Sequence, residues 1–219
     1  MREVARGVWH WEAPHPDWAG PGNEALRQRL AATDGTPNEA AGGVVSSYAI
    51  VDDERLLLFD PLAVPREIEA LAAGREQVVV LTCPWHERDT RNLVERLGVP
   101  VFTPPPDEGS PDVAWLAGGW SDAHLYTAGG RLRVGVEALP GRLPNDVVLW
   151  VASRAAAIAG DTLVDFGQGL EIPVEWLPAG VTREQVAEGL RPLLELPVEV
   201  VLATHGGPTD KTALERALA

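Results

Sequence analysis

The 219-residue chain has one cysteine, one methionine and one lysine, and no run of the roughly 20 apolar residues needed to span a bilayer. A single cysteine, Cys83, excludes an internal disulfide and makes a reducing compartment the expectation. The first residues, MREVARGVWHWE, lack the apolar core of a secretory leader. A cytoplasmic protein with no membrane partner is therefore expected. Basic residues are also scarce: 18 against 32 acidic, for a net charge of −14, and they are scattered rather than clustered. That balance excludes nucleic-acid binding through phosphate neutralisation. The Ser46-Ser47 pair sits in no G-x-S-x-G frame, so a serine hydrolase is not supported. No low-complexity linker divides the chain, so residues 1–219 are expected to form one domain. At 45% hydrophobic content this length buries a substantial core without staples.

What the chain does have begins with a Trp- and Pro-rich stretch over 1–43. Trp9, Trp11 and Trp18 alternate with His10, Pro14, His15, Pro16 and Pro21. Proline at this density forbids a continuous helix, and indoles are too large to leave exposed cheaply. An extended arm stapled over the body is expected, with a short helix around 24–32. The arm is a candidate contact surface for oligomerisation, and His10 or His15 is a candidate site contact.

Val44–Val51 and Arg55–Phe59 form two strand-like runs around the polar turn Asp52-Asp53-Glu54. The second run ends in Asp60-Pro61, a carboxylate at a strand terminus. Pro65 then suits a first helical position, with Ile68, Leu71 and Ala72 as its apolar face. A strand over 77–82 follows after a helix-length crossover, which implies parallel pairing. The later half repeats the scheme. Arg131–Ala138 alternates, Asp146–Ala152 and Ala155–Ala159 are apolar runs, and Thr182 with Gln185 makes a capping box. Pro192 predicts a break near Gly189, and Val198–Ala203 leads to THGG at 204–207, with Thr209 or Asp210 capping a last helix. Each half leaves polar residues at strand ends, so two sheets packed face to face with helices outside would bring those ends to one edge.

The densest of these ends is LTCPWHERDT, residues 81–90, where a strand passes into a helix and Cys83, His86, Glu87 and Asp89 lie close together. Open α/β folds place chemistry at such points. Together with the FDP at Asp60, the AGD ending in Asp161 and the THGG around His205, this order and spacing resembles the metallo-β-lactamase superfamily. The resemblance covers nearly the whole chain beyond residue 44. It implies an α/β fold, a four-layer αββα sandwich of two mixed sheets, and metal-dependent hydrolysis.

In that family the turn is H-x-H-x-D-H, a later P-G-H adds a histidine, and the GD aspartate bridges two metals. Here the ungapped frame puts Cys83, Trp85, Glu87 and Arg88 at the motif positions. A shift by one residue puts Pro84, His86, Arg88 and Asp89 there, and the later histidine is Arg142. The resemblance leaves Asp161 and His205 at ligand positions and Asp60 behind them.

Two readings of the site follow. In the one placed first, the site is eroded and metal-free: Arg88 and Arg142 balance Glu87 and Asp161, and the old crevice binds a small molecule or a partner. In the alternative, His86, Asp89, Asp161 and His205 hold one divalent ion, zinc above others, that activates a water, with Asp161 and His86 closest to the chemistry. A nucleophilic Cys83 is a third, more distant possibility.

Overall fold

The computed structural model describes residues 1–16, 24, 28–29, 43–52, 54–107 and 123–219. The expected helix over 24–32 falls largely outside the described residues, as do Trp18 and the Trp115–Trp120 segment.

The first sheet has seven strands in sequence order: β1 (Arg2–Ala5), β2 (Val8–Pro14), β3 (Val44–Val51), β4 (Arg55–Phe59), β5 (Glu76–Val80), β6 (Val101–Thr103) and β7 (Ala123–Leu125). β1 to β4 pair antiparallel, and β4 to β7 pair parallel. The parallel step from β4 to β5 runs through helix α1 (Arg66–Ala70), and that from β5 to β6 through α2 (Thr90–Leu97). Residues 2–14 of the expected N-terminal arm are thus a hairpin built into the sheet. Extended backbone tolerates Pro14 at a strand end, and Trp11 is buried with its Nε1–H donating to Leu62 O at 2.7 Å.

The second sheet has six strands: β8 (Arg131–Leu132), β9 (Val136–Leu143), β10 (Asp146–Val151), β11 (Ala156–Gly160), β12 (Val200–Ala203) and β13 (Pro208–Thr209). Their spatial order is β13-β12-β11-β10-β9-β8. The run at 131–138, expected as one strand, divides into β8 and the start of β9. Gly135 at φ 81° makes the reversal between them. Helix α3 (Arg183–Leu190) carries the capping box, with Thr182 Oγ1 accepting from Gln185 N and Gln185 Oε1 from Thr182 N. It stops before α4 (Pro192–Glu195), where Pro192 at the first position supplies no N–H. Asp210 caps α5 (Lys211–Ala217).

Period-2 alternation sorts the side chains into layers. Along β10, Val147, Leu149 and Val151 join Tyr48, Leu57, Phe59, Val78 and Val80 in the core between the sheets. Val148 and Trp150 point the other way, onto Val186, Leu190, Leu193 and Leu214 of the helices. Leu56, Leu58 and Val79 pack outward on Ile68 and Leu93. Three apolar cores between four layers make this an αββα sandwich, and no described helix is long and apolar enough to cross a membrane.

The two sheets are tied at one edge. Ser46 N donates to Thr204 O at 2.7 Å, Val147 N to Thr82 O at 3.0 Å, and the buried Tyr48 hydroxyl to Ala203 O at 2.6 Å. Gly160, at φ 54°, permits this approach, because a Cβ there would lie 2.8 Å from Thr82 Oγ1.

Candidate functional site

Every chemistry-bearing strand end falls on that edge. Asp60 follows β4, with φ 45°, and is 2% exposed. Its Oδ1 accepts the Thr82 N–H at 2.9 Å and its Oδ2 the Thr82 hydroxyl at 2.7 Å. A 3₁₀ turn over Pro84–His86, started by the proline, aims the His86 ring between two carboxylates. His86 Nδ1 lies 3.1 Å from Asp60 Oδ2 and 3.2 Å from Thr82 Oγ1, and Nε2 lies 3.2 Å from Asp161 Oδ1. Asp161 follows β11, and His205 follows β12 with its Nε2 3.5 Å from the same Oδ1.

The charges sort accordingly. Burial opposes a charge on His86, but the carboxylates of Asp161 and Asp60 outweigh it and hold the imidazole well above its ordinary range. Burial likewise opposes the Asp161 charge, yet His86 and His205 hold the carboxyl well below its usual value. Burial keeps His205 neutral over its ordinary range, against the pull of Asp161. Burial also pushes the Cys83 thiol up, so an unliganded Cys83 is neutral and a poor nucleophile.

Asp161 is divided between two neighbourhoods. Its Oδ2 accepts the Trp85 indole N–H at 3.0 Å and lies 3.5 Å from Arg142 Nη2. Its Oδ1, although buried, has no hydrogen-bond partner in good geometry among the described residues, despite the two imidazoles beside it. Arg142 is held rigidly. Its guanidinium sits between the Trp85 and Trp176 rings at 5.6 and 5.7 Å, its Nη1 donates to Trp176 O at 2.8 Å, and its Nε is 2.6 Å from Asp146 Oδ2. Asp146 is fully buried. Burial, only partly offset by Arg142, pushes its carboxyl up to about 7, because one guanidinium is shared between two acids.

The other expected site residues are placed differently. Arg88 does not reach Asp161. At φ 46° it turns back, and its Nη1 donates to Asp60 O at 2.7 Å and Ser46 O at 3.2 Å. Asp89 faces the other way and accepts the Ala63 N–H at 2.5 Å, so it anchors the turn after Pro61. Glu87 and His15 line the site's cavity, which has a volume of about 820 Å³ and is walled also by His86, Arg142, Asp161, Trp176 and His205. His10 is buried in β2, with Nε2 2.8 Å from Ser46 Oγ. His124, a residue of β7 and no site candidate, packs tilted on Phe102 with ring centroids 4.7 Å apart. Sequence reasoning missed Asp146 and Trp176. The first carried a faint signal, four residues beyond Arg142 across a hairpin; the second carried none.

Among the described residues one set brings three ligand-type atoms within 4.8 Å of one another: Cys83, His86 and Asp161, all buried. His205 lies outside that set, although its Nε2 is 3.5 Å from the same Asp161 Oδ1.

No protein-family sequence model matches the chain, and no curated protein does either. Solved structures do. TTHA1623, determined in a di-iron-bound form, is 26% identical over 79% of this chain and 93% of its own, with a TM-score of 0.58. DIM-1 metallo-β-lactamase is 13% identical over 99% of this chain and 94% of its own, with a TM-score of 0.63. ETHE1 from Myxococcus xanthus is 20% identical over 80% and 78%, with a TM-score of 0.56. The chain has the metallo-β-lactamase fold. The expected fold class holds, and it does so across all layers.

A metallo-β-lactamase centre of two ions does not fit these residues. Neither frame of the 83–90 turn keeps the motif's histidines, and the Arg142 guanidinium already occupies the Oδ2 side of Asp161. A fixed cation that close to a second divalent ion is unfavourable. A single ion on the Oδ1 side fits better. A buried carboxylate oxygen without a partner faces His86 Nε2, while the other ring nitrogen is backed by Asp60, the arrangement by which a carboxylate orients a ligating histidine.

Proposed function

We propose that the protein is a small-molecule hydrolase with one divalent ion, in which Arg142 replaces the second ion of the metallo-β-lactamase centre. The observation that carries this reading is the division of Asp161: Oδ2 is held by Trp85 and Arg142, and Oδ1, with no hydrogen bond in good geometry, faces the imidazoles of His86 at 3.2 Å and His205 at 3.5 Å. When bound, such an ion polarises a carbonyl or phosphoryl oxygen and lowers the pKa of a water toward about 7.

The chain's own residues supply the rest. Asp60 fixes the His86 tautomer by accepting a hydrogen bond from Nδ1–H, which leaves the Nε2 lone pair free to ligate. Arg142, clamped between two indoles, presents a permanent positive charge at the cavity wall, suited to an anionic oxygen developing on substrate. His205, kept neutral by burial, is available to accept a proton. The cavity of about 820 Å³ admits a small substrate rather than a polymer.

The test is elemental analysis of protein purified without chelator, followed by assay against chromogenic ester and phosphodiester substrates. About one equivalent of zinc, iron or manganese is expected, with both metal and turnover lost in His86→Ala. Protein that takes up none of these ions at micromolar concentration overturns the reading. In that case the metal-free binding crevice is favoured by a different observation: both His86 nitrogens face carboxylates, so one imidazolium can pair with Asp60 and Asp161 without an ion.

A further inference from the structure

We propose that Cys83 is a thiolate ligand, so that Cys83 Sγ, His86 Nε2 and Asp161 Oδ1 together hold one soft divalent ion of the zinc or cobalt class. This rests on the single-ion reading above and goes beyond it, because it replaces the ligand set that the sequence suggested. Asp89 is turned away onto the Ala63 backbone, and His205 is outside the converging set.

The argument stands on geometry. Cys83, His86 and Asp161 are the described His, Cys, Asp and Glu side chains whose ligand atoms converge, all within 4.8 Å of one another. Independently of the cysteine, Asp161 is 6% exposed and its Oδ1 makes no hydrogen bond in good geometry, with only the two imidazoles at 3.2 and 3.5 Å beside it, and His86 is 5% exposed with its far nitrogen fixed by Asp60. A buried carboxylate oxygen without a hydrogen bond is costly, and a cation beside it removes that cost. Solvent cannot reach that oxygen, but a bare ion is smaller than a water molecule. Tetrahedral zinc keeps its ligands about 2.0 to 2.3 Å away, so the three donors need draw together by only about 1 Å. Three protein ligands leave a fourth position for water or substrate, and two of the three, His86 and Asp161, line the cavity, the ligand count of a catalytic rather than a structural site. The donor set also selects the ion. Thiolate with imidazole and carboxylate favours zinc, cobalt and iron over magnesium or calcium, which take oxygen ligands.

Cobalt(II) is the probe. Titration of metal-stripped full-length protein is expected to give one equivalent bound, with a sulfur-to-cobalt charge-transfer band in the near ultraviolet beside the visible d–d bands. Cys83→Ser is expected to lose the charge-transfer band while keeping visible cobalt absorption from His86 and Asp161. X-ray absorption on the zinc-loaded wild type gives the same answer without a variant that must fold, as one sulfur at about 2.3 Å. Cobalt binding without the charge-transfer band, a band that survives Cys83→Ser, or a first shell with no sulfur overturns the assignment and leaves the single-ion hydrolase standing. No binding of cobalt or zinc in competition with a chromophoric chelator overturns both.

Discussion

Replacing Arg142 by Met is the most informative single perturbation of the fold, because it removes a cation that two buried acids share. Asp146 has no exposed surface, and its one ion-pair partner among the described residues is Arg142 at 2.6 Å. Removing one partner of a buried pair costs about 3–5 kcal/mol, and lost stacking on Trp85 and Trp176 adds about 1 kcal/mol. Against a domain stability of roughly 5–15 kcal/mol this is a large fraction. The effect also carries a pH signature. The Asp146 carboxyl is already pushed from its ordinary 3.8 to about 7. Between those values the folded protein binds the extra proton, so native stability falls as pH rises through that window.

Without Arg142 the carboxyl shifts further up and the window extends past neutrality. The destabilisation by Arg142→Met is therefore expected to be larger at pH 8 than at pH 6, by up to about 1.4 kcal/mol per pH unit. Urea unfolding at both pH values, for Arg142→Met, Asp146→Asn and the double variant, measures it. Asp146→Asn should flatten the pH slope and rescue more than about 1.5 kcal/mol of the Arg142→Met loss. A loss that is the same at both pH values, or a coupling below about 0.5 kcal/mol, refutes the buried-pair argument.

Asp60→Asn keeps the shape but weakens the hold on His86, and is expected to lower zinc affinity about 10- to 100-fold in a chelator competition assay. Gly141→Ala places a Cβ 2.0 Å from Asp146 O and 2.5 Å from Thr162 Oγ1, so a marked drop in melting temperature or insoluble protein is expected on expression. Thr182→Ala breaks the capping box of α3 and should cost about 1 kcal/mol in chemical unfolding, with metal binding unchanged. His10, lowered to about 4 by burial and by the charges of Arg2 and the N-terminus, stays neutral when folded while the unfolded chain protonates near 6.5. Stability is then lost as pH falls from 6.5 toward 4, and His10→Gln should flatten that acid limb in a thermal-melt series.

Much of the fold was legible because it is a matter of local period and turn chemistry. Val44–Val51 and Arg55–Phe59 alternate within one apolar set, and both are strands with the expected bounds. The Thr182–Gln185 box and the break before Pro192 are local backbone chemistry, and each holds. The N-terminal hairpin was missed because proline density argues against helix without arguing for a strand. What recruits residues 8–14 into the sheet is pairing with β3, a non-local partner.

The site divides along the same line. Sequence determined which strand ends carry polar groups, and hence that Asp60, His86, Asp161 and His205 meet at one edge. It also determined that neither frame of the 83–90 turn keeps the family's histidine motif and that Arg142 stands in place of the later histidine. Only the tertiary structure decided the partners. Arg88 and Arg142 are alike in sequence, yet a left-handed backbone turns one onto carbonyls, while two indoles from distant segments clamp the other onto Asp146 and Asp161. Asp89, expected at the site, is turned onto the Ala63 backbone for the same reason. The direction a side chain takes out of a tight turn depends on what the neighbouring sheet leaves open, and that is set by packing between segments far apart in the chain.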